Sequence, residues 1–362
     1  MRARDLGLKF EGETGLHNAI TDVPGVTVGY STIIEGEGPL EVGKGPIRTG
    51  VTAILPRGKQ NEMKPIWAGT FSFNGNGEMT GTHWINDGGY FLSPICITNT
   101  HSVGTVHQAV VKWMIDNYQD QFLNEHLWAM PVVAETYDGV LNDINGLHVK
   151  EEHVLAAIQS AQSGELREGN VGGGTGMICY GFKGGTGTSS RKLDIDGEEY
   201  HIGVLVQANY GKREWLKVSG VPVGEHLTEN IVHTKEMGSI IVIIGTDIPM
   251  LPHQLKRLAK RASIGIGRSG SPGGNDSGDI FLAFSTANEM SIHQKEDPIL
   301  TMKVTNDQQV DPIYEQACHA IDEAIINAMI AAESMSALKP SGKVVEAIDH
   351  ERLMEVMKKY NC

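Results

Sequence analysis

The sequence predicts an α/β protein, a single layered domain in which β-sheets lie between helices. Its composition is that of a folded globular chain, since 40% of the 362 residues are hydrophobic and 20% are charged. Apolar runs typical of buried strands and amphipathic runs typical of helices occur in segregated groups along the chain. No low-complexity linker and no internal repeat separates two halves, so one large layered domain is favoured.

The first part of the chain supplies strands and two helices. Runs rich in β-branched and apolar residues predict strands over 51–55, 66–73, 94–98 and 130–135. Apolar residues spaced three and four positions apart predict helices over 106–122 and 151–162. A β-rich stretch then covers 176–182 and 200–208, with the polar turn 194–197 between them.

The second part begins with the most distinctive strand. Residues 240–244 are five β-branched residues in succession, which predicts a buried strand. The remaining elements are a helix over 251–261, a strand over 280–285 and two closing helices over 312–335 and 344–360. The two closing helices are expected to form one outer layer of the domain.

Charge and cysteine usage exclude several classes of protein. A formal net charge of -14 argues against a nucleic-acid partner, because nucleic-acid binding needs basic patches. The four cysteines form no CxxC pair, which fits a reducing compartment. Neither a signal peptide nor an apolar run of membrane-spanning length is visible. The sequence therefore predicts a cytoplasmic protein with no membrane partner.

Metal and nucleotide motifs are weak in this chain. The 14 histidines form no HxxxH, HExxH or Cys/His cluster, so neither a metal nor another cofactor is expected. Residues 265–270 match GxGxxG, but a helix rather than a strand precedes them and Ser271-Pro272 follows. The glycine-rich run 172–176 lacks the Gly-Lys-Ser/Thr ending of a phosphate loop. A tight backbone passage between strands is the preferred interpretation of both segments.

The step Gly238-Ser239 places a serine at the start of the predicted strand 240–244. A hydroxyl there can attack the carbonyl of Gly238 and cut the chain. Ser239 would then carry a free α-amino group that can act as its own base. An ordinary turn before a strand is the alternative interpretation.

Polar residues also follow other predicted strands. Asn209 ends the strand 200–208, where its amide could donate to a developing oxyanion. Glu135 and Tyr137 end the strand 130–135, where a carboxylate and a phenol could bind an amine and orient a leaving group. Ser277 and Asp279 lead into the strand 280–285, and strand alternation places them on one face. Each set could instead form only a polar turn.

Five segments, taken together, resemble one known family: 18–26, 131–138, 170–176, 206–211 and 277–286. The family is that of the L-aminopeptidase/D-amino-acid esterases and β-peptidyl aminopeptidases, which are self-processing serine hydrolases. The resemblance runs from about residue 3 to about residue 336. The helix predicted from about residue 344 lies outside it.

The resemblance implies a four-layer αββα sandwich that is cleaved between Gly238 and Ser239. The pieces 1–238 and 239–362 would remain one composite domain, with Ser239 as the nucleophile of the second piece. Asn209 matches the oxyanion-stabilising asparagine of the family, and Ser277 matches a serine in the hydrogen-bond network of the nucleophile. A tetramer of processed protomers is also implied.

Three further positions carry over from the family. Asp279 matches an acidic position that is glutamate in the β-peptide-cleaving members, and its shorter side chain leaves open whether it reaches the network directly. Glu135 matches an acid that pairs with the amino group of the substrate. Tyr137 matches an active-site tyrosine that other members replace with tryptophan.

Trp84, His101 and Tyr210 are candidates for the wall of the substrate pocket.

The predicted activity is that of a serine aminopeptidase acting on short peptides, amino-acid amides or esters through an acyl-enzyme. L-α-, D-α- and β-amino-acid substrates all stay open, because no motif reports the depth of the pocket. One alternative is an acyltransferase of the ornithine acetyltransferase type, a relative that uses threonine as its nucleophile. The other is a non-enzymatic protein that binds a ligand with its glycine-rich loops.

Overall fold

A computed structural model describes residues 1–125, 127–232, 234–236, 238–291 and 298–361 of the chain. The strands are β1 (Thr27–Glu35), β2 (Ile47–Leu55), β3 (Ile66–Ser72), β4 (Tyr90–Phe91), β5 (Ile95–Asn99), β6 (Val132–Thr136), β7 (Ile178–Cys179), β8 (Phe182–Lys183), β9 (Gly185–Ile195), β10 (Glu198–Asn209), β11 (Ser239–Thr246), β12 (Ile280–Ser285), β13 (Met335–Leu338) and β14 (Ser341–Val345). The α-helices are α1 (Thr82–Gly88), α2 (Val103–Asn117), α3 (Gln119–Asn124), α4 (Glu151–Gln159), α5 (Val223–His226), α6 (Pro252–Lys260), α7 (Ala262–Arg268), α8 (Asp311–Ile330) and α9 (His350–Lys359).

Two sheets lie face to face at the centre of the fold. One has four strands in the order β1-β2-β5-β6, and the other has six in the order β4-β3-β12-β11-β10-β9. Helices α2 and α4 pack on the outer face of the first sheet. Helices α6 and α8 pack on the outer face of the second sheet, with α7 against α8. The four-layer αββα sandwich expected from the resemblance is therefore confirmed, in a single domain.

Strand β11 is buried along its whole length because both of its faces are covered. Ile240, Val242 and Ile244 contribute to the apolar core under the helices. Ile241 and Ile243 point the other way, into the core between the sheets. Side chains alternate along a strand, so Ser239 belongs to the face between the sheets, at the end of that core.

Two long strands, β1 and β9, were not predicted from the sequence. The alternation in β1 is irregular, with only three of its nine residues buried. Strand β9 begins with small and polar residues, so it lacks the apolar signal of a buried strand. Gly187 lets helix α8 approach closely, because a Cβ added there would lie 2.0 Å from the carbonyl oxygen of Ala324. The glycine is there because a side chain would prevent the tertiary packing, and such a requirement leaves no periodic pattern in the sequence.

Several predicted boundaries were wrong. The helix expected over 106–122 is interrupted at Tyr118, whose backbone leaves helical geometry between α2 and α3. The run 176–182 forms only the short pair β7 and β8. The two closing helices, expected over 312–335 and 344–360, are shorter than predicted. Helix α8 ends at Ile330 and α9 begins at His350, and the β13–β14 hairpin lies between them. Backbone N–H groups of this hairpin donate to the carbonyl of Val140, a contact distant in sequence.

The glycine run 172–176 is a tight backbone passage between strands, as predicted, because a Cβ on Gly174 would lie 2.2 Å from the backbone nitrogen of Thr186 in β9. The segment 265–270 is not. Gly265 lies within α7, where an added Cβ would come 2.6 Å from Ile321 of α8. The glycine there permits close helix–helix packing. The run Gly172–Gly176 forms a buried 3-10 helix, in which Gly173 closely approaches the side chain of Gln207.

Three cysteines, Cys96, Cys179 and Cys318, are free and buried, and Cys362 lies outside the described residues. Burial raises the pKa of the Cys96 thiol to about 12, which keeps it protonated. None of the helices in the described ranges has the length and apolar character of a bilayer span.

Candidate active site

The order of the strands brings the predicted polar residues together at one end of the central strands of the six-stranded sheet. Strand β10 pairs with β11 in an antiparallel register that sets Asn209 opposite Ser239. Strand β12 lies parallel to β11, so the residues that lead into β12 approach the start of β11. The Ile240 N–H accordingly donates to Asp279 Oδ1 at 3.1 Å. The strand pairing therefore brings together four side chains that are separated by up to 70 residues in sequence: Asn209, Ser239, Ser277 and Asp279.

Ser239 has its hydroxyl held by the backbone of the adjacent loop. The Gly278 N–H donates to Ser239 Oγ at 3.0 Å, and only 5% of the serine is exposed. A Cβ on residue 278 would lie 2.7 Å from that oxygen and 2.2 Å from the carbonyl oxygen of Asn76. Glycine is therefore required for the loop backbone to approach the serine so closely.

Gly238 is packed even more tightly. A Cβ added there would lie 1.6 Å from the carbonyl oxygen of Asn209. Asn209 is paired with Ser239 of β11 and its side chain is fixed by two backbone groups, so its carbonyl has little freedom to yield. The fold therefore requires a glycine directly before Ser239 for steric reasons.

Ser277 and Asp279 form a direct hydrogen bond. Ser277 Oγ donates to Asp279 Oδ1 at 2.6 Å, so the aspartate reaches the serine despite its shorter side chain. Asn74 holds the same carboxylate from the other side, because its Nδ2 donates to Asp279 Oδ2 at 2.8 Å. Burial raises the pKa of Asp279, while these hydrogen bonds oppose the rise. With its proton directed at Asp279, Ser277 keeps its oxygen lone pairs as acceptors.

Asn209 is fixed by two backbone groups. Its Oδ1 accepts from the Ile178 N–H at 2.7 Å, and its Nδ2 donates to the Tyr137 carbonyl at 2.9 Å. The second Nδ2 hydrogen has no acceptor within the described part of the chain. A fixed amide with one available hydrogen is suited to stabilise negative charge on an oxygen nearby.

A pocket opens beside Asn209 and Gly238. Tyr137 and Tyr210 also line it. Trp84 and His101 are not among its described lining residues, and Trp84 instead packs edge-on against Tyr90. Burial is the main reason that the pKa of the Tyr137 phenol is raised, and the neighbouring Asp138 adds to it.

Glu135 is not among the described residues that line this pocket. Its Oε1 accepts from the Glu78 N–H at 2.9 Å, and its Oε2 accepts from the Thr100 hydroxyl. A Cβ on Gly77 would lie 3.2 Å from Glu135 Oε1 and from the Gly278 carbonyl oxygen, so the carboxylate is close to the serine loop. Burial raises its pKa, since two neutral donors compensate the charge only in part.

Three polar residues of this region were missed from the sequence. Asn74 follows β3, so the rule that singled out other strand ends could have found it. Asp138, fully buried beside Tyr137, accepts from Asn142 Nδ2 at 3.0 Å, and burial raises its pKa to about 7. Glu236 lies three positions before Ser239, in a polar segment with no periodic signal.

Comparison with known proteins gives consistent matches over the whole chain. A profile described as peptidase family S58 matches residues 18–342. The β-peptidyl aminopeptidase BapA of Sphingosinicella microcystinivorans is 52% identical over 375 residues, covering 99% of this chain and 92% of that protein.

Two solved structures are also similar. The L-aminopeptidase D-Ala-esterase/amidase of Ochrobactrum anthropi superposes with a TM-score of 0.95 and 55% identity, covering 99% of both chains. It is described as a prototype of the serine aminopeptidases and a variant of the Ntn (N-terminal nucleophile) hydrolase fold. A β-aminopeptidase of Burkholderia sp. gives a TM-score of 0.88 with 45% identity, again covering 99% of both chains.

The sandwich, with a serine opening a central strand, thus has the Ntn-hydrolase fold. The chain belongs to peptidase family S58. It is a hydrolase of the serine aminopeptidase class, as predicted. The comparisons favour neither the acyltransferase nor the non-enzymatic alternative.

Proposed function

We propose that the chain cleaves itself between Gly238 and Ser239, and that Ser239 of the processed enzyme releases N-terminal residues from short peptides, amino-acid amides or esters. The pieces 1–238 and 239–362 would stay together as one domain. The observation that carries the proposal is the environment of Ser239: its hydroxyl is held by Gly278, with Asn209 opposite and an obligatory glycine before it.

Self-cleavage would proceed as an acyl shift. Ser239 Oγ attacks the carbonyl carbon of Gly238, and the C–N bond breaks as the amide nitrogen takes up a proton. The Gly238 acyl group is then an ester on Ser239, and water hydrolyses it to a Gly238 carboxylate and a free Ser239 hydroxyl. The products are two chains, the second of which begins with the α-amino group of Ser239.

The free amine makes the processed serine a better nucleophile. An α-amino group has a pKa of about 7.7–8.0, so a useful fraction is neutral near neutral pH and can accept the hydroxyl proton. The proton would pass to this amine directly or through Ser277, whose own proton is held by Asp279. Asn209 would donate its available Nδ2 hydrogen to the oxyanion, a contribution of about 2.7–4 kcal/mol in comparable sites.

Glu135 would anchor the ammonium group of the substrate and thereby restrict hydrolysis to the first residue. A buried carboxylate with only neutral donors gains from a cationic partner. Tyr137 lines the pocket and would orient the leaving group. An acyl-enzyme forms when the leaving amine or alcohol departs, and water then releases the acyl group.

The names of the relatives guide the proposed substrate range. One is called a β-peptidyl aminopeptidase and another an L-aminopeptidase D-Ala-esterase/amidase. We therefore propose substrates with a free amino group that include β-amino-acid as well as α-amino-acid derivatives. A homo-oligomer, such as a tetramer of processed protomers, and a cytoplasmic location complete the proposal.

Intact mass measurement of the purified full chain tests the proposal. Two masses that correspond to 1–238 and 239–362 are expected, together with hydrolysis of aminoacyl p-nitroanilides. Ser239→Ala is expected to give one full-length mass and no activity, whereas the exposed Ser336→Ala control should match the wild type. N-acetylation of the substrate should abolish its hydrolysis. Two normal fragments from Ser239→Ala would refute the assignment.

Hydrolysis can be separated from acyl transfer in the same assay. The processed enzyme is incubated with an aminoacyl ester, with and without an added amine acceptor such as ornithine. Release of the free amino acid at the same rate in both conditions is expected for the hydrolase. Acylated ornithine as the main product would instead favour the transferase alternative.

A further inference from the structure

The segment just before the cleavage position is attached to the site by Glu236. Only 9% of this residue is exposed, although it lies in a polar stretch. Its Oε1 accepts a hydrogen bond from the Gly211 N–H at 3.0 Å. Gly211 follows Asn209 and Tyr210 at the end of β10, so Glu236 connects the upstream segment to the strand end opposite Ser239.

The second oxygen of Glu236 faces the loop on the other side. Oε2 is buried with no hydrogen-bond partner in the described part of the chain, and a Cβ added to Gly274 would lie 1.6 Å from it. The Gly274 carbonyl accepts from Asn74 Nδ2 at 2.9 Å and from the Ser277 N–H at 3.2 Å. Glu236 thus lies between the end of β10 and the loop that carries Ser277.

The charges around Glu236 favour its neutral form. Burial raises the pKa of this carboxyl, and the nearby Asp279 and Asp276 add to the effect. The cation of Lys212 and the Gly211 hydrogen bond oppose it. Burial thus disfavours the charged form of this carboxyl, and no side-chain cation is bonded to it in the described part of the chain.

We propose that Glu236 is a positioning residue for self-cleavage, a role that rests on the proposed cleavage between Gly238 and Ser239. Glu236 is two residues from Gly238, a span of at most about 7 Å. A carboxyl fixed at Gly211 therefore limits the distance that the Gly238 carbonyl can move from Ser239. Gly238 also packs against Asn209, so both contacts hold the segment to the same strand end.

The role belongs to maturation rather than to turnover. Once the Gly238–Ser239 bond is broken, Ser239 stays in β11 and no longer depends on the upstream segment for its position. Glu236 itself is not among the described residues that line the pocket at Asn209. Substitution should therefore slow the appearance of the two fragments without changing the pH profile of the processed fraction.

The test compares rates of fragment formation in full-length chains produced by cell-free synthesis. Glu236→Ala and Glu236→Leu, which lack the acceptor, should slow cleavage about tenfold or more. Glu236→Gln keeps an acceptor for the Gly211 N–H and should restore the rate to within about threefold of wild type. Glu225→Ala, an exposed acid upstream in the chain, should cleave normally.

Folding is checked by thermal unfolding of each variant combined with Ser239→Ala, in which no cleavage is expected. The leucine variant fills the volume of the glutamate, so it keeps the test decisive where the alanine variant unfolds. Wild-type rates in a folded Ala or Leu variant, or a Gln variant as slow as Leu, would overturn the role of Glu236. A wild-type chain that never cleaves would instead refute the proposed function itself.

Discussion

Replacing Gly238 with alanine should block maturation by a purely steric effect. The added Cβ would lie 1.6 Å from the carbonyl oxygen of Asn209, whereas real contacts of this kind keep at least 3.0 Å. The two groups must therefore separate by roughly 1.4 Å, and the paired strand β10 holds the oxygen in place. Residue 238 must therefore move, and its carbonyl carbon is the proposed target of Ser239.

The size of the effect follows from that displacement. A misplacement of about 1 Å between reacting groups costs about 100-fold in rate. Gly238→Ala should therefore slow self-cleavage by about 100-fold or more, which is about 2.7 kcal/mol in activation free energy. The hydroxyl, its Gly278 donor and the Ser277–Asp279 pair remain chemically unchanged.

The assay follows the loss of the full-length band on denaturing gels, with intact mass to locate the cut. Gly267→Ala is the matched control, because a Cβ at this exposed helical position meets nothing within 4 Å. It should cleave at the wild-type rate. Thermal unfolding of Gly238→Ala in a Ser239→Ala background reports any loss of folding. A folded Gly238→Ala chain that cleaves as fast as the wild type would refute the steric reasoning.

Three further substitutions give measurable outcomes. Asn209→Ala should lower kcat about 100- to 1,000-fold in processed enzyme through loss of the oxyanion donor, and an unchanged kcat would contradict that role. Burial raises the pKa of Asp138 from 3.8 to about 7, so its ionisation destabilises the fold as pH rises between these values. Asp138→Asn should therefore raise the melting temperature relative to wild type more at about pH 8 than at about pH 4, and an equal difference at both would contradict this. Glu323→Gln should cost about 3–5 kcal/mol in urea unfolding, because it leaves the fully buried Arg191 without its carboxylate at 2.8 Å. Glu151→Gln, which breaks the solvent-accessible ion pair with Lys112, serves as its control and should cost only a small fraction of that free energy.

Much of the architecture could be predicted because burial leaves a local pattern. The five β-branched residues after Ser239 are buried on both faces, and the structure places them in the central strand β11. The prediction failed where packing requires glycine, as in β9, where Gly187 allows the backbone of α8 to approach closely. It also failed at the β13–β14 hairpin, which is fixed by hydrogen bonds to Val140.

The candidate site was predictable to a similar degree. Asn209, Ser277 and Asp279 were singled out as polar residues at strand ends, and the structure brings them to Ser239. Their catalytic roles stay predictions. Glu236 gave no signal in the sequence, because its burial depends on a hydrogen bond to Gly211 across 25 residues.

The sequence by itself determined the kinds of elements and the step Gly238-Ser239 at the start of a buried strand, because both follow from residues adjacent along the chain. Only the tertiary structure decided which strand ends meet. The order β10-β11-β12 sets Asn209 on one side of Ser239 and Asp279 on the other. It also made Gly238 obligatory, through the Asn209 carbonyl that a Cβ would strike. Such contacts arise from strand pairing between distant segments, which no local pattern records.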